Sequence, residues 1–165
     1  MMEIGECFVG SGAAAAHLNT VLGRRDGPVG QAWATALATP TAGHAPFVVV
    51  LRPGLPVVPF TLFVNKARID GDEHARLTWG AAQAGVAAGV ADAVVAGTIA
   101  EGSVPSLVVI AAVWVDPLAR DAEVVFANNR EATAGALALG RAGLPKVADV
   151  VAQREVAWNP FFRPA

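Results

Sequence analysis

Ser106-Leu-Val-Val-Ile-Ala-Ala-Val-Trp-Val115 lies between Pro105 and Asp116, and every residue in it after the serine is apolar. A strand that is covered on both faces carries a continuous apolar run, whereas a strand with one open face alternates between apolar and polar residues. The stretch therefore predicts a strand at the centre of a sheet, with the rest of the chain built around it.

The remaining elements occur in a proportion typical of an α+β sandwich. Strand patterns bounded by turn residues cover residues 3–9, 14–23, 47–51 and 61–69. The first two flank Gly10-Ser-Gly12, which predicts an antiparallel hairpin. Helical patterns cover residues 28–38, about 72–96 and about 121–142, the first of them opened by Gly27-Pro28. No linker or repeat is visible, so we expect one domain over residues 1–165.

Composition and charge narrow the class of partner. The chain has 165 residues, of which 54% are hydrophobic and only 16% are charged, with a formal net charge of -2. Binding to phosphate backbones needs several Lys or Arg side chains on one face, and no basic cluster is present, so we expect no nucleic-acid partner. We expect small-molecule partners instead. The low charge also predicts that part of the surface is buried in a homo-oligomer.

Several other classes of protein are disfavoured. The longest stretch without charged residues, 27–51, is interrupted by prolines, so we expect no membrane span, and the start of the chain has no secretion signal. Cys7 is the single cysteine, which fits a reducing cytoplasm. Zinc sites use closely spaced ligands, and His17, His44 and His74 are far apart in sequence, so we expect no metal site.

His17 is the best candidate for a proton-transfer group. Histidine titrates near neutral pH, and His17 lies in a predicted strand among small and apolar residues. A histidine that is simply satisfied in the core or at the surface is the alternative. Strand alternation places Asn19 on the same face as His17, and it places Arg68 on the same face as Lys66. Two such faces on neighbouring strands would form one wall of a pocket.

Lys66 and Gln83 are the other candidates for polar contacts with a ligand. The chain has ten Arg and only two Lys, so Lys66 hints at a role for a compact or titratable amine, although a solvated lysine explains it equally well. The long helix repeats Trp79, Gln83, Val86 and Val90 at helical spacing, and its small apolar residues predict burial on most sides. A buried amide needs a partner, which is either structural or a ligand.

The chain resembles the formaldehyde-activating enzyme family, which condenses formaldehyde with tetrahydromethanopterin. The resemblance runs from about Ile4 to Phe161. It is carried by Ile4-Gly-Glu, Val9-Gly-Ser-Gly, Ala16-His17-Leu, Phe63-Val-Asn-Lys66, Trp79-Gly-Ala-Ala-Gln83-Ala-Gly-Val-Ala, Val90-Ala-Asp-Ala-Val, Asn129-Arg-Glu-Ala-Thr133, Leu144-Pro-Lys, Gln153-Arg and Asn159-Pro-Phe.

The resemblance implies a two-layer α+β sandwich with a left-handed βαβ crossover, like the second domain of a small-subunit ribosomal protein. It implies a homopentamer with pterin sites between subunits, no permanently bound cofactor, and tetrahydromethanopterin as co-substrate. It also implies that His17 is the general acid. The positions implied to contact the pterin are Asn19, Val48, Lys66, Arg68 and Gln83.

Three of those positions depart from the family pattern, which has Asp, Leu and Thr where this chain has Asn19, Val48 and Arg68. Loss of the carboxylate at position 19 removes a charge that would help to hold His17 protonated. We expect the long cation of Arg68 to crowd Lys66 and to lower the pKa of Lys66. These departures leave open a pterin or C1-compound sensor without catalysis, and an enzyme that uses another amine carrier.

Overall fold

The computed structural model describes residues 2–160 and 162–164, and Phe161, the last residue of the Asn159-Pro-Phe motif, lies outside them. The strands, in chain order, are β1 (Met2–Val9), β2 (Ala16–Arg24), β3 (Phe47–Val48), β4 (Val50–Arg52), β5 (Leu55–Pro56), β6 (Phe60–Asn65) and β7 (Leu107–Trp114). The α-helices are α1 (Pro28–Ala38), α2 (Gly71–Arg76), α3 (Gln83–Val95), α4 (Ala122–Arg141) and α5 (Val147–Gln153).

The main sheet has five strands in the order β1-β2-β7-β6-β3, so the apolar run lies at its centre as predicted. The hairpin of β1 and β2 is antiparallel, which confirms that prediction, although β2 begins only at Ala16 because Gly12–Ala14 form a 3-10 turn. β6 and β7 are parallel and are joined through α2 and α3, which makes a βαβ unit. The left-handedness of its crossover stays a prediction.

Helix α4 covers one face of the sheet, and the second layer of the predicted sandwich is thereby confirmed. Gly5 and Cys7 on β1 point toward it, because a Cβ on Gly5 would clash with the Ala136 carbonyl and Cys7 Sγ contacts Gly135. Helix α3 packs against α4, and a Cβ at Gly85 would lie 2.5 Å from the Phe126 carbonyl oxygen. The core lies between these helices and the sheet.

The strand predicted at 47–51 is confirmed only in part, because it is divided into β3 and β4 and the chain passes from one sheet to the other at Val49. The Val49 amide donates to the Thr61 carbonyl of the main sheet, while the Val49 carbonyl accepts from the amide of Val57, which directly follows β5 of the small sheet. The next amide, that of Val50, donates to Gln83 Oε1 at 2.6 Å. Gln83, at the start of α3, therefore supplies the acceptor that a neighbouring strand would otherwise give to the Val50 amide.

The strand predicted at 61–69 ends early, at Asn65. The Asn65 side-chain amide donates to the Gly43 and Ala67 carbonyls, both at 2.8 Å. The bond to Ala67 turns the chain within two residues, because it gives the backbone an alternative to the strand ladder. Lys66 and Arg68 therefore do not lie on one face of a strand, and that prediction is wrong.

The long helix predicted at 72–96 is present, but it is not uniform. A π-helical segment, Leu77–Ala82, separates α2 from α3. A π turn contains more residues than an α turn, so it rotates residues away from the face that α spacing predicts. Trp79 accordingly is 47% exposed, although Gln83, Val86 and Val90 are buried. The helix predicted at 121–142 is α4, with Asp121 as its N-cap, while α5 had no counterpart in the prediction.

Candidate active site

The open face of the β1–β2 hairpin carries the polar residues of interest. Leu18 and Thr20 are buried on the α4 side of β2, and His17 and Asn19 point to the other side, which confirms their predicted common face. The hairpin register sets Phe8 opposite His17 and Glu6 opposite Asn19. Residues directly opposite each other in a sheet share a face, so two strands contribute to one surface.

His17 lies between two ionisable side chains. Its Nε2 atom is 3.0 Å from Glu6 Oε1, and its Nδ1 atom is 3.4 Å from Lys66 Nζ. Lys66 Nζ also donates to Asn19 Oδ1 at 2.8 Å. A continuous chain of polar contacts thus runs from the Glu6 carboxylate through the imidazole to the amine and then to the Asn19 amide.

Lys66 reaches this surface because β6 lies beside β7 in the sheet. Its backbone amide donates to the Val113 carbonyl at 2.7 Å, which extends the parallel ladder one residue beyond β6. The β2–β7 register places Ala112 opposite Asn19 and Trp114 opposite His17. Strand β7 therefore sets the positions of three residues that are up to 49 apart in sequence.

The surroundings of the cluster lower the pKa of both bases. Partial burial is the main cause that lowers the pKa of His17, and the nearby Lys66 charge lowers it further, against the opposing effect of Glu6. Partial burial also lowers the pKa of Lys66, again opposed by the Glu6 carboxylate. Loss of water disfavours a charged amine or imidazole, which explains the common direction.

A cavity of about 670 Å³ opens beside the imidazole and is large enough for a small organic ligand. Glu6, Phe8 and His17 form the sheet side of the cavity, with the Phe8 and His17 ring centroids 5.9 Å apart. The opposite side comes from the end of the chain, through Trp158, Asn159 and Pro160. The end of the chain, with the Trp158 ring, thus borders the cavity on the side opposite His17.

The other predicted contact residues lie apart from the His17 cluster. Val48 lines a separate cavity of about 410 Å³ next to α1. Gln83 is buried with its carbonyl oxygen bound to the Val50 amide, so its partner there is structural. Arg68 packs over Gly43, where a Cβ would lie 2.6 Å from Arg68 Cγ. The expectation that Arg68 crowds Lys66 is therefore wrong, because burial and not Arg68 lowers the pKa of Lys66.

The other two histidines are held by backbone groups. His74 is 1% exposed, with Nδ1 accepting from the Asp70 amide and Nε2 donating to the Val115 carbonyl, both at 3.0 Å. His44 Nδ1 lies 2.9 Å from the Asn65 carbonyl oxygen. Within residues 2–160 and 162–164, no group of three His, Cys, Asp or Glu side chains is placed to hold a metal ion.

Sequence reasoning missed Glu6 and Trp158 as parts of the site. Glu6 belongs to the Ile4-Gly-Glu motif, and the register of the hairpin brings it to His17. Counting outward from the Gly10-Ser-Gly12 turn would have paired the two strands approximately. Trp158 offers no comparable signal, because only the path of the tail brings it to the cavity.

The fold and the site define a class of protein: an α+β sandwich with a histidine that contacts a carboxylate and an amine beside a cavity on one face of a mixed sheet. The sequence pattern of the formaldehyde-activating enzyme family matches residues 4–162. The chain therefore belongs to the formaldehyde-activating enzyme family.

Similar proteins are found in several organisms. The chain is 38% identical to 5,6,7,8-tetrahydromethanopterin hydro-lyase of Methanosarcina barkeri over 96% of its own length and 89% of that protein. It is 40% identical to the bifunctional enzyme Fae/Hps of Methanococcoides burtonii over 95% of its length, and 37% identical to that of Archaeoglobus fulgidus over 96%. It spans about 40% of the length of these bifunctional relatives.

None of the helices in the described part of the chain combines the length and the apolar content that a membrane crossing requires.

Proposed function

We propose that this protein condenses formaldehyde with tetrahydromethanopterin, giving methylene-tetrahydromethanopterin and water. The observation that carries the proposal is the contact of His17 with Glu6 and Lys66 beside an open cavity. Such a cluster holds an imidazole ready to move a proton at a ligand. The similarity to tetrahydromethanopterin hydro-lyase supports the choice of substrates.

The chemistry needs help at one proton step. A neutral secondary amine of the pterin attacks formaldehyde unaided and gives a carbinolamine. The carbinolamine hydroxyl then leaves as water, and this step needs a proton, which His17 supplies. The second pterin amine then attacks the iminium carbon and loses a proton to solvent, which closes the ring. General acid catalysis contributes about two to four orders of magnitude, and alignment of the two amines contributes further through proximity.

We also propose that the substrate site is completed between subunits of a homo-oligomer, specifically a pentamer. Val48, Arg68 and Gln83 lie apart from the His17 cluster in one chain, so a neighbouring subunit is the simplest way for one pterin to contact both groups. Exposed apolar side chains on several elements, including Leu51, Leu118 and Val147, support an assembly. Sedimentation of the purified protein tests the number of subunits, and a monomer overturns this part. We propose a cytoplasmic location.

The activity is tested by mixing the purified protein with formaldehyde and tetrahydromethanopterin and following the methylene adduct against the spontaneous rate. We expect acceleration by the wild-type protein and its loss in His17→Ala. Equal acceleration by His17→Ala, or none by the wild-type protein, overturns the proposed activity. Binding of the pterin without acceleration would indicate a sensor. Acceleration with tetrahydrofolate alone would indicate another carrier.

A further inference from the structure

The contacts of His17 determine which of its nitrogen atoms carries the proton. Lys66 Nζ donates to Asn19 Oδ1 and also lies 3.4 Å from His17 Nδ1. A protonated amine has no lone pair, so a hydrogen bond between it and Nδ1 requires Nδ1 to be the acceptor. A neutral imidazole then carries its proton on Nε2, where the Glu6 carboxylate accepts it at 3.0 Å.

This arrangement does not fit an imidazolium. A proton on Nδ1 would face the Lys66 ammonium, and two donors at 3.4 Å repel each other. The protonated form of His17 is therefore available only when Lys66 has given up its own proton. One proton is shared between the two bases, so they form a coupled pair rather than two independent sites.

We propose that Lys66 is the proton source behind His17, and that Glu6 is a positioning residue that fixes the tautomer needed for the transfer. The proposal rests on the proposed function, and it assigns Lys66 a chemical role besides contact with the pterin. It also removes the need for His17 to be charged before the carbinolamine arrives.

The step balances without any further reactant. The His17 Nε2–H bond breaks and an O–H bond forms on the carbinolamine hydroxyl, while the C–O bond breaks and releases water and an iminium. At the same time Nδ1 takes a proton from the Lys66 ammonium, which becomes a neutral amine. One positive charge moves from Lys66 to the iminium. Afterwards solvent in the open cavity returns a proton to Nε2, and the proton on Nδ1 returns to Lys66.

The surroundings suit this exchange. Glu6 has a side chain that is 58% exposed, so it can turn away from Nε2 when the hydroxyl enters. Lys66 is half-buried, and burial lowers the pKa of its ammonium, which makes it a better acid. The charged and titratable groups that contact His17 are Glu6 from β1 and Lys66 from the end of β6. Trp114, the residue opposite His17 on β7, has no titratable side chain. The residues at the end of the chain that line the cavity, Trp158, Asn159 and Pro160, have none either.

The first test measures the tautomer directly and does not depend on activity. Nitrogen-15 chemical shifts of the His17 imidazole, assigned by comparison with His17→Ala, distinguish the two neutral tautomers and the imidazolium. At about pH 7.5, above the ordinary pKa of histidine, we expect the Nε2–H tautomer. The Nδ1–H tautomer or an imidazolium at this pH overturns the proposal.

The second test uses Lys66→Arg, which keeps a positive donor but cannot release a proton at any accessible pH. The matched control is Lys146→Arg, because Lys146 is the only other lysine and its amine bonds to backbone carbonyls near α5. We expect Lys66→Arg to lose about 10²–10⁴-fold in rate, as His17→Ala does, and to keep the Nε2–H tautomer. We expect Lys146→Arg to match the wild-type rate.

The pH profile distinguishes two mechanisms: transfer of the Lys66 proton through a neutral His17, and proton donation by a His17 that is already charged. After subtraction of the His17→Ala rate at every pH, we expect activity to fall along a basic limb between about 6.5 and about 10.4, the ordinary pKa values of histidine and lysine. A fall in activity centred below about pH 6.5 overturns the proposal that Lys66 supplies the proton. A Lys66→Arg rate closer to wild type than to His17→Ala also overturns it. Failure of the wild-type protein to accelerate the reaction at all overturns the proposed function instead, so the two failures are distinguishable.

Discussion

His17 and His74 lie near the same end of β7 and make opposite use of the same side chain. In both, Nδ1 faces a donor and Nε2 faces an acceptor, at 3.4 and 3.0 Å for His17 and at 3.0 Å twice for His74. The partners of His74 are the Asp70 amide and the Val115 carbonyl, and the His74 side chain is buried. The partners of His17 are an amine and a carboxylate beside an open cavity.

The difference lies in what the partners can exchange. Backbone amides and carbonyls neither gain nor lose protons, so His74 can only join α2 to the end of β7. Lys66 carries an ionisable amine that can pass a proton to Nδ1, so the same hydrogen-bond pattern around His17 becomes a path for protons. Hydrogen-bond geometry alone therefore does not identify a functional histidine, and the chemical nature of its neighbours does.

His17→Ala is the largest expected effect on activity. Removal of the general acid should lower the catalysed rate by about 10²–10⁴-fold, because the departing hydroxyl loses its proton donor. The thermal midpoint should stay close to that of the wild-type protein, since the side chain is 38% exposed. Rates and melting curves on the same preparations check this prediction. A large fall in stability with normal activity would make His17 a structural residue of the same kind as His74.

His74→Ala should lower the stability of the protein and leave the activity of the folded molecules nearly unchanged. It leaves the buried Val115 carbonyl without a partner, at a cost of about 1–3 kcal/mol, removes the acceptor of the Asp70 amide, and opens a cavity as well. Urea unfolding measures the free energy. The rate per folded molecule should remain within a few-fold of wild type at low temperature. Unchanged stability would contradict a structural role for His74.

Asn19→Asp tests how the amide at position 19 sets the behaviour of Lys66. A carboxylate in place of Oδ1, 2.8 Å from Nζ, favours the ammonium and should raise the pKa of Lys66 by about one unit or more. The basic limb of the pH–rate profile should move upward by the same amount. Asn19→Ser removes the amide without adding charge and is the control. A limb that does not move would show that Lys66 does not control the rate.

Acid stability is the smallest expected effect. The pKa of His17 is lowered in the folded protein, so the unfolded chain binds the proton first as the pH falls. Stability should therefore decline as the pH drops through about 6.5, by less than about 1 kcal/mol because the side chain is partly exposed. Urea midpoints measured above and below this pH check the decline. It should be shallower in His17→Ala, and identical slopes would contradict the lowered pKa.

The sequence allowed prediction of features that depend on local periodicity. Alternation placed His17 and Asn19 on one face, and the unbroken apolar run placed β7 at the centre of the sheet. Both follow from a single strand and need no knowledge of its neighbours. The titration range of histidine made His17 a candidate, and the family motifs identified the family.

Features that depend on distant partners were not predictable from local patterns. The end of β6 follows from bonds between Asn65 and the Gly43 loop, and the break at Val49 coincides with the Gln83 bond to Val50. The contact of Glu6 with His17 depends on the exact hairpin register, and the contact with Lys66 depends on the order of strands. Each of these needs the three-dimensional arrangement, because the partners are far apart in sequence or fixed by a register.

The central strand also has an evolutionary consequence. Ala112, Val113 and Trp114 set the positions of Asn19, Lys66 and His17 through three consecutive ladder positions. Insertion or deletion of one residue before Ala112 in this strand would turn every following side chain of β7 to the opposite side of the sheet and displace the three ladder positions that hold Asn19, Lys66 and His17. Lineages of this protein should therefore vary in length at loops such as residues 39–46 and keep a constant length through β7.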